Sequence, residues 1–306
     1  MGKTHLRMKK TLASALFALL LTGLSVPLFG QQSENSLLWE ISGNGLAKPS
    51  YLFGTYHVLN DGYLSQKNPA ALAAFQKADG VVVEVVLDTA SMMRAQIGML
   101  MPYNRLSQLL DSAGYQLVKA ELLQTAGMDI AAFEQVKPMA IATMLTIAYT
   151  TAAAPELSVY TGQPLDRFFA SNGAATGKKV QAFETLDEQI DMLFNHFSQS
   201  DQALLLVDFI KIKARAIEAQ KSLTQYYFSQ DIQALYELNE KLMAEMPAWG
   251  NMDFITTDRN KRWMEKLPAM LSEGNRFIAV GALHLPGPGG LIDLLRQQGY
   301  TLKPVK

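Results

Sequence analysis

The sequence predicts an α/β fold in which a central, mostly parallel sheet carries large helical insertions. An apolar run near the start ends in a Gly-x-x-His motif, Gly54 to His57, and a similar run near the other end leads to Gly281 and His284. A loop, a helical stretch and a second strand follow each histidine. Such strand, helix, strand units are typical of right-handed crossovers between parallel strands. Two units packed side by side would bring both histidines to the ends of neighbouring strands.

The first unit begins with a hairpin that we expect at the edge of the sheet. Residues 37–42 alternate like a half-buried strand, and Asn44-Gly45 supplies turn residues before the strand that ends in the first motif. A helix is predicted at Pro69–Lys77. The return strand is predicted at residues 80–87, an almost continuous apolar run of the kind found in central parallel strands.

The second unit repeats this order with a helix at 291–298 and a strand at 300–305. Between the units we expect helical insertions at about 89–175 and 186–272. A strand at 178–184 separates them, and Thr185 with Glu188 three residues later forms the capping box that starts the next helix.

Residues 1–30 read as a secretory signal peptide, which leaves 31–306 as a single domain. Basic residues precede the apolar run from Thr11 to Leu24, and small residues follow at Ser25 and Gly30. We therefore expect an exported, periplasmic or extracytoplasmic protein. An uncleaved membrane anchor is the alternative. The run lacks a cysteine, which excludes a bacterial lipoprotein.

Composition narrows the partners and the chemistry. A formal net charge of −1 without a basic run gives no electrostatic footprint for nucleic acid. We expect membrane contact only through an uncleaved signal sequence, because the uncharged stretch 138–154 is short enough to favour a buried helix over a membrane span. The chain has no cysteine, so a metal site must use His, Asp, Glu or main-chain oxygen, which points to zinc, manganese, cobalt or iron.

Two charged residues interrupt apolar patterns. Glu84 lies inside the predicted strand 80–87, where a carboxylate needs a cation such as a metal ion or Arg259 to stay charged. The alternative is a glutamate at the exposed end of the strand. Arg259 falls in the apolar stripe of a helix predicted at 252–271, so it should meet a carboxylate or an anionic ligand unless it extends to solvent.

Two neutral imidazoles with one or two carboxylates match the ligand set of a hydrolytic metal site. A metal lowers the pKa of bound water, a carboxylate can act as general base, and a cation such as Arg259 can stabilise a developing oxyanion. Gly54 and Gly281 have a physical role as well, since glycine permits a positive φ or a close backbone approach where a strand turns into a site.

Several motifs of the chain occur in the order found in a known family. They are Tyr51-Leu52-Phe53-Gly54-Thr55-Tyr56-His57, Val83-Glu84, Gly177-Lys178-Lys179-Val180-Gln181-Ala182-Phe183-Glu184-Thr185 with Glu188-Gln189, Asp258-Arg259-Asn260-Lys261-Arg262-Trp263, and Val280-Gly281-Ala282-Leu283-His284.

In these motifs the sequence resembles the TraB/PrgY/GumN family, the bacterial relatives of the Tiki metalloproteases. The resemblance implies a fold similar to the erythromycin esterase and ChaN group. It also implies a metalloprotease-like centre with manganese or cobalt, or zinc, as the divalent ion. The implied site consists of His57, His284, Glu84, Glu184 and Arg259.

The leading interpretation is an exported metal-dependent hydrolase, a peptidase acting on a peptide or protein substrate. His57 and His284 are the expected metal ligands, and Glu84 is a ligand or a base. Glu184 and Arg259 are expected to support the site or the transition state. The first alternative is a non-catalytic binding protein that sequesters a peptide signal, haem or a metal ion. The second is a scaffold whose histidines are satisfied by hydrogen bonds.

Overall fold

A six-stranded sheet in the order β4-β3-β5-β2-β1-β6 crosses the part of the protein that the computed structural model describes, residues 35–86 and 89–306. The predicted signal peptide lies outside these residues. The strands are β1 (Leu38–Gly43), β2 (Ser50–Thr55), β3 (Gly80–Val83), β4 (Lys179–Ala182), β5 (Arg276–Gly281) and β6 (Tyr300–Val305).

Four adjacent strands, β4, β3, β5 and β2, run parallel, whereas β1 pairs antiparallel with both β2 and β6. The predicted α/β class with a mostly parallel sheet is therefore confirmed. The hairpin of β1 and β2 is also present, with Asn44 at a φ of 45° in its turn. Its expected position at the edge is wrong, because β6 pairs along β1 from Gly43 to Leu38 and takes the edge itself. Local sequence cannot reveal a partner strand that comes from the other end of the chain.

The two strand, helix, strand units are interleaved and do not lie side by side. The first unit joins β2 to β3 and the second joins β5 to β6, yet β5 lies between β2 and β3. The register pairs Thr55 with Gly281, so the two Gly-x-x-His motifs follow neighbouring strands at the same carboxyl-terminal end of the sheet. This placement follows from the parallel direction of β2 and β5.

Helices fill the two long ranges between the strands. Those near the first unit are α1 (Gly62–Lys67) and α2 (Pro69–Lys77). The range before β4 holds α3 (Thr89–Gly98), α4 (Leu106–Leu109), α5 (Ser112–Ala126), α6 (Pro138–Ala153) and α7 (Leu165–Ala175). The range after β4 holds α8 (Leu186–Phe194), α9 (Gln199–Lys211), α10 (Lys213–Phe228), α11 (Ile232–Glu245), α12 (Thr257–Met264) and α13 (Leu267–Ser272); α14 (Leu291–Gln297) lies between β5 and β6.

The uncharged helix α6 packs against α5, α9 and α10. Its buried residues Ile141, Leu145 and Tyr149 belong to a hydrophobic cluster separate from the one around the sheet. Within the ranges that the structure covers, none of the helices combines the length and apolar character needed to cross a bilayer.

Two predicted elements are shorter than expected. The helix predicted at 252–271 is a 3₁₀ turn followed by α12 and α13, and Pro268 in the first turn of α13 lacks the N–H that a continuous helix requires. The strand predicted at 80–87 ends at Val83, so Glu84 follows it directly. Its neighbour β4 ends at Ala182, and main-chain hydrogen bonds from Phe183 N to Val83 O and from Glu184 N to Glu84 O continue the pairing for two residues past the strands.

Candidate active site

His57 and His284 border the same small space beside Gly281. A methyl group added at Gly281 would lie 3.7 Å from His57 Nε2 and 3.6 Å from His284 Cδ2. The φ of Gly281 is −53°, so the residue does not need glycine for a left-handed backbone. Its missing side chain instead leaves space between the two histidines. A methyl group on Gly54 would lie 2.9 Å from Ala282 Cα, which shows that close approach is the reason for the first glycine.

The ring of His57 is oriented by a carboxylate. Its Nδ1 lies 2.6 Å from Asp166 Oδ2, and Asp166 also accepts a hydrogen bond from the Thr55 hydroxyl. The Asp166 charge raises the pKa of His57 to about 9, so this ring, whose side chain is 70% exposed, is protonated near pH 7. This contact engages Nδ1 and leaves Nε2 directed at the space beside Gly281.

His284 is buried and held in one tautomer by Asn260. The Asn260 amide nitrogen donates to the main-chain oxygens of His284 and Gly289, at 3.1 and 2.9 Å. Asn260 Oδ1 therefore accepts, and its 2.7 Å contact places the proton on His284 Nδ1. Burial lowers the pKa of His284 to about 4, so the ring is neutral near pH 7 and its Nε2 carries a lone pair.

Glu84 lies one residue beyond β3, yet its side chain is only 13% exposed. The prediction of a position inside the strand is therefore wrong, and so is the alternative of an exposed strand end. Glu84 follows the strand end, but its side chain is mostly buried. Its Oε1 accepts from the Gly281 N–H at 2.7 Å, and its Oε2 accepts from Arg259 Nη2 at 2.6 Å. Burial alone would raise the pKa of the Glu84 carboxyl, but the cationic groups around it, His284 and Arg259 foremost, lower it to about 2. Near pH 7 His284 is neutral, so Arg259 and the protonated His57 are the cations that act on this carboxylate.

Arg259 lies between two carboxylates and is buried, so it does not extend to solvent. Its Nε and Nη2 donate to the two oxygens of Glu184 at 2.9 and 2.8 Å, a bidentate pair. Trp263 Nε1 donates to Glu184 Oε1 at 2.8 Å, and the Trp263 ring lies 4.7 Å from the guanidinium carbon. The remaining Nη1 lies 3.1 Å from His284 Nε2 and donates to its lone pair.

The donor types fit a divalent ion. The Nε2 of His57 faces the space beside Gly281, and His284 Nε2 lies 3.9 Å from Glu84 Oε1. Each Nδ1 is held by an oxygen, as is usual around histidine metal ligands. Glu84 supplies a carboxylate beside them. In residues 35–86 and 89–306, however, no three His, Asp or Glu side chains converge closely enough to hold a metal. A metal bound here would displace the N–H that Arg259 directs at His284.

Three residues of the site were not foreseen from the sequence. Asp166 and Asn260 hold the two histidines, and Gln189 Nε2 lies 3.5 Å from Glu84 Oε2 and 3.4 Å from Glu184 Oε2. Asn260 and Gln189 fall inside motifs that carry the family resemblance, which is a signal that could have identified them. Asp166 has no such signal, because an acidic residue in the first turn of α7 is ordinary.

Two cavities meet at the site. The larger has a volume of about 630 Å³ and the smaller about 470 Å³. Both are lined by His57, Glu84 and Gln189. A ligand can therefore reach these three side chains from either cavity.

Comparisons with known proteins give a distant relative and a family. The chain is 24% identical over 323 residues to the metalloprotease TIKI2 of Danio rerio; the alignment covers 89% of this chain and 61% of the length of that relative. No solved structure matches the chain significantly, so the expected likeness to the erythromycin esterase and ChaN group stays a prediction. The profile of the TraB/PrgY/gumN family matches residues 37–304, and the chain belongs to this family.

Proposed function

We propose that this protein is an exported metal-dependent hydrolase that cleaves peptide bonds. The observation that carries the proposal is that His57, His284 and the Glu84 carboxylate border one space beside Gly281, although more than 200 residues separate the two histidines in the sequence. The distant similarity to a metalloprotease supports the reaction class. Export rests on the signal-peptide pattern of residues 1–30.

His57, His284 and Glu84 would hold the ion, with Mn²⁺ or Co²⁺ as first candidates and Zn²⁺ as a third. When bound, it supplies a Lewis acid and lowers the pKa of a coordinated water. Asp166 and Asn260 hold Nδ1 of the two rings, which leaves both Nε2 atoms for the ion. Because the pKa of His57 is about 9, this ring would have to release its Nε2 proton when the ion binds.

The role of Glu84 can be chosen between ligand and base. A general base works best when its pKa is near the operating pH, but the pKa of Glu84 is about 2. Its carboxylate is therefore a poor proton acceptor, and the ligand role is the better one. Arg259 is fixed by Glu184 and Trp263, and its Nη1 can donate to the oxyanion that develops on the scissile carbonyl.

The test is turnover of an internally quenched peptide library with added Mn²⁺, Co²⁺ or Zn²⁺. We expect activity in the unmodified chain and in His196→Ala, because His196 is exposed and stacks on Phe254 outside the site. His57→Ala and His284→Ala should each abolish it. Equal turnover in all four proteins would exclude the proposed site.

One observation favours the non-catalytic alternative, a protein that sequesters a peptide, haem or metal. Arg259 already satisfies His284 Nε2 and Glu84 Oε2, as expected if no metal is needed. Calorimetry with the same three ions, combined with the cleavage assay, separates the two functions, because metal binding without cleavage supports sequestration of a metal. Peptide binding without metal binding or cleavage would support the alternative, and a Soret band on titration with haem would identify haem as its ligand.

A further inference from the structure

The larger of the two cavities, which we name the helical cavity, joins the charged site to an apolar interior. Its floor is formed by His57, Glu84 and His284, which follow the ends of the strands, and by Arg259 of α12. Its walls come mainly from α8, α9, α10 and α11 with the segment after them. The apolar wall residues are Met192, Leu193, Phe209, Leu223, Leu242, Met243, Met246, Trp249 and Ile255.

The walls are tied to the site by two tyrosines. The Tyr227 hydroxyl on α10 donates to the main-chain oxygen of Gly54 at 2.9 Å, and the Tyr56 hydroxyl lies 3.0 Å from the Thr224 hydroxyl on the same helix. Helix α10 therefore stays at a fixed height above the first Gly-x-x-His motif. A ligand in the helical cavity is held at a defined distance from His57.

The two charged residues of the helical walls, Arg215 and Glu245, form a salt bridge with each other. Arg215 on α10 and Glu245 on α11 form a bidentate pair, at 2.8 and 3.0 Å. Leu242, Met243 and Met246 remain only half buried although they line a cavity. Apolar surface of this kind prefers an apolar occupant, and methionines adapt to different shapes.

The smaller cavity continues from the same three residues and has a different character. It is lined by Asp166, Arg167 and Ser171 of α7 beside the valines that end and follow β3. Because His57, Glu84 and Gln189 line both cavities, an extended chain can pass from one into the other across the site.

We propose that the helical cavity binds large apolar side chains on one side of the scissile bond of a peptide substrate, while the other side of the peptide leaves through the smaller cavity. This inference rests on the proposed peptidase function and adds its specificity. A volume of about 630 Å³ is within the usual range of ligand sites. We expect cleavage within an internal segment, and not at a chain end, because two cavities share the residues of the site.

The first experiment measures binding of the uncharged fluorophore N-phenyl-1-naphthylamine to the full chain in the presence of a chelator. Leu242→Gln and Met246→Gln place an amide in the wall, and we expect each to weaken binding by about tenfold or more. The matched control is Leu204→Gln, because Leu204 is 63% exposed on α9 and lines neither cavity. The apolar run within residues 1–34 could also bind the fluorophore, but it is the same in all variants. A difference in affinity between the variants therefore reports on the cavity.

The second experiment displaces the fluorophore with two decapeptides that differ only in whether central positions are leucine and phenylalanine or serine. The apolar peptide should displace it at concentrations at least about tenfold lower. Equal displacement by both peptides, or unchanged fluorophore binding in both wall variants while circular dichroism shows native folding, would overturn the inference. Displacement by a fatty acid but by neither peptide would overturn it as well.

These results separate this inference from the proposed function. An apolar peptide that displaces the fluorophore but is not cleaved with any of the three ions supports the cavity assignment and contradicts the hydrolase. Cleavage of both peptides at equal rates supports the hydrolase and contradicts the cavity assignment.

Discussion

Arg259 is the residue on which the buried charges of the site depend. It forms hydrogen bonds with both Glu84 and Glu184, and its own side chain is 5% exposed. A buried carboxylate without a cation pays a large desolvation cost. The guanidinium therefore has a structural task in addition to the proposed interaction with an oxyanion.

Replacing Arg259 by methionine should lower the free energy of unfolding by about 3–5 kcal/mol, because two buried carboxylates lose their partner. Urea denaturation measures the change. Arg262→Met is the matched control, since Arg262 is 56% exposed and only approaches the same Glu184 at 4.0 Å. Its loss should be at most about 1 kcal/mol. Similar losses in both variants would contradict the buried network.

Asn260→Ala should weaken binding of Mn²⁺ or Co²⁺ by about 10–100-fold, because His284 loses the acceptor that fixes its tautomer. Isothermal titration calorimetry gives the affinity. Asp258→Ala on the same helix serves as control, since Asp258 only pairs with the exposed Lys261. If the alanine at 260 left the affinity unchanged in a folded protein, the assigned role of Asn260 would be wrong.

The sequence revealed residues that conflict with their surroundings better than residues that support them. Glu84 and Arg259 could be identified because a charge in an apolar pattern requires a partner. Asp166 could not, because it looks like any acidic residue near a helix start, and only packing of α7 brings it to His57. The contact between Arg259 and His284 could not be predicted from the sequence either, because it depends on how α12 packs against the end of β5.

Among the elements, α10 and α11 form two walls of the helical cavity and are joined at its rim by the pair of Arg215 and Glu245. Both side chains are partly exposed, so this pair adds little to global stability. Its effect should instead be local, on how often α11 separates from α10.

Reversing one charge, as in Arg215→Glu or Glu245→Arg, should speed amide hydrogen exchange in α11 because like charges then face each other. The double variant should restore slow exchange. Asp208→Lys in α9 is the control, since it breaks an exposed pair with Lys211 within one helix. Faster exchange in the control, or no recovery in the double variant, would show that the pair does not hold the two helices together.

Elements with strong local signals were predicted well. Helix α2 has the predicted bounds of Pro69–Lys77, and Thr185 and Glu188 form the predicted capping box of α8. Errors arose where a long-range partner decides the outcome. The prediction of an edge hairpin is wrong because no local pattern pairs β6 with β1. The prediction of one helix at 252–271 is wrong because Pro268 lacks the N–H that a continuous helix requires.

At the scale of the whole molecule, β5 connects the two parts of the sheet. It lies between β2 and β3, which precede it by about 200 residues in the sequence. Without β5, the pair β4-β3 would have no backbone hydrogen bonds to the pair β2-β1. Such long-range pairing is also expected to make folding slow.

A chain that ends at Asn275 should therefore lack a cooperative urea transition by circular dichroism. A chain that ends at Gly299 keeps β5 and loses only the edge strand β6, so it should retain a cooperative transition at a lower urea concentration. A cooperative transition in the shorter chain would show that the sheet does not depend on β5.

The interleaved sheet has a consequence for biosynthesis. The ribosome synthesises His57 early. The second imidazole, His284, and the Gly281 N–H that donates to Glu84 are added more than 200 residues later. Polypeptides that stop before residue 281 thus contain His57 and Glu84 but lack His284 and the Gly281 N–H that complete the site. The catalytic machinery proposed for this protein would come into being only after residues 281–284 have been added.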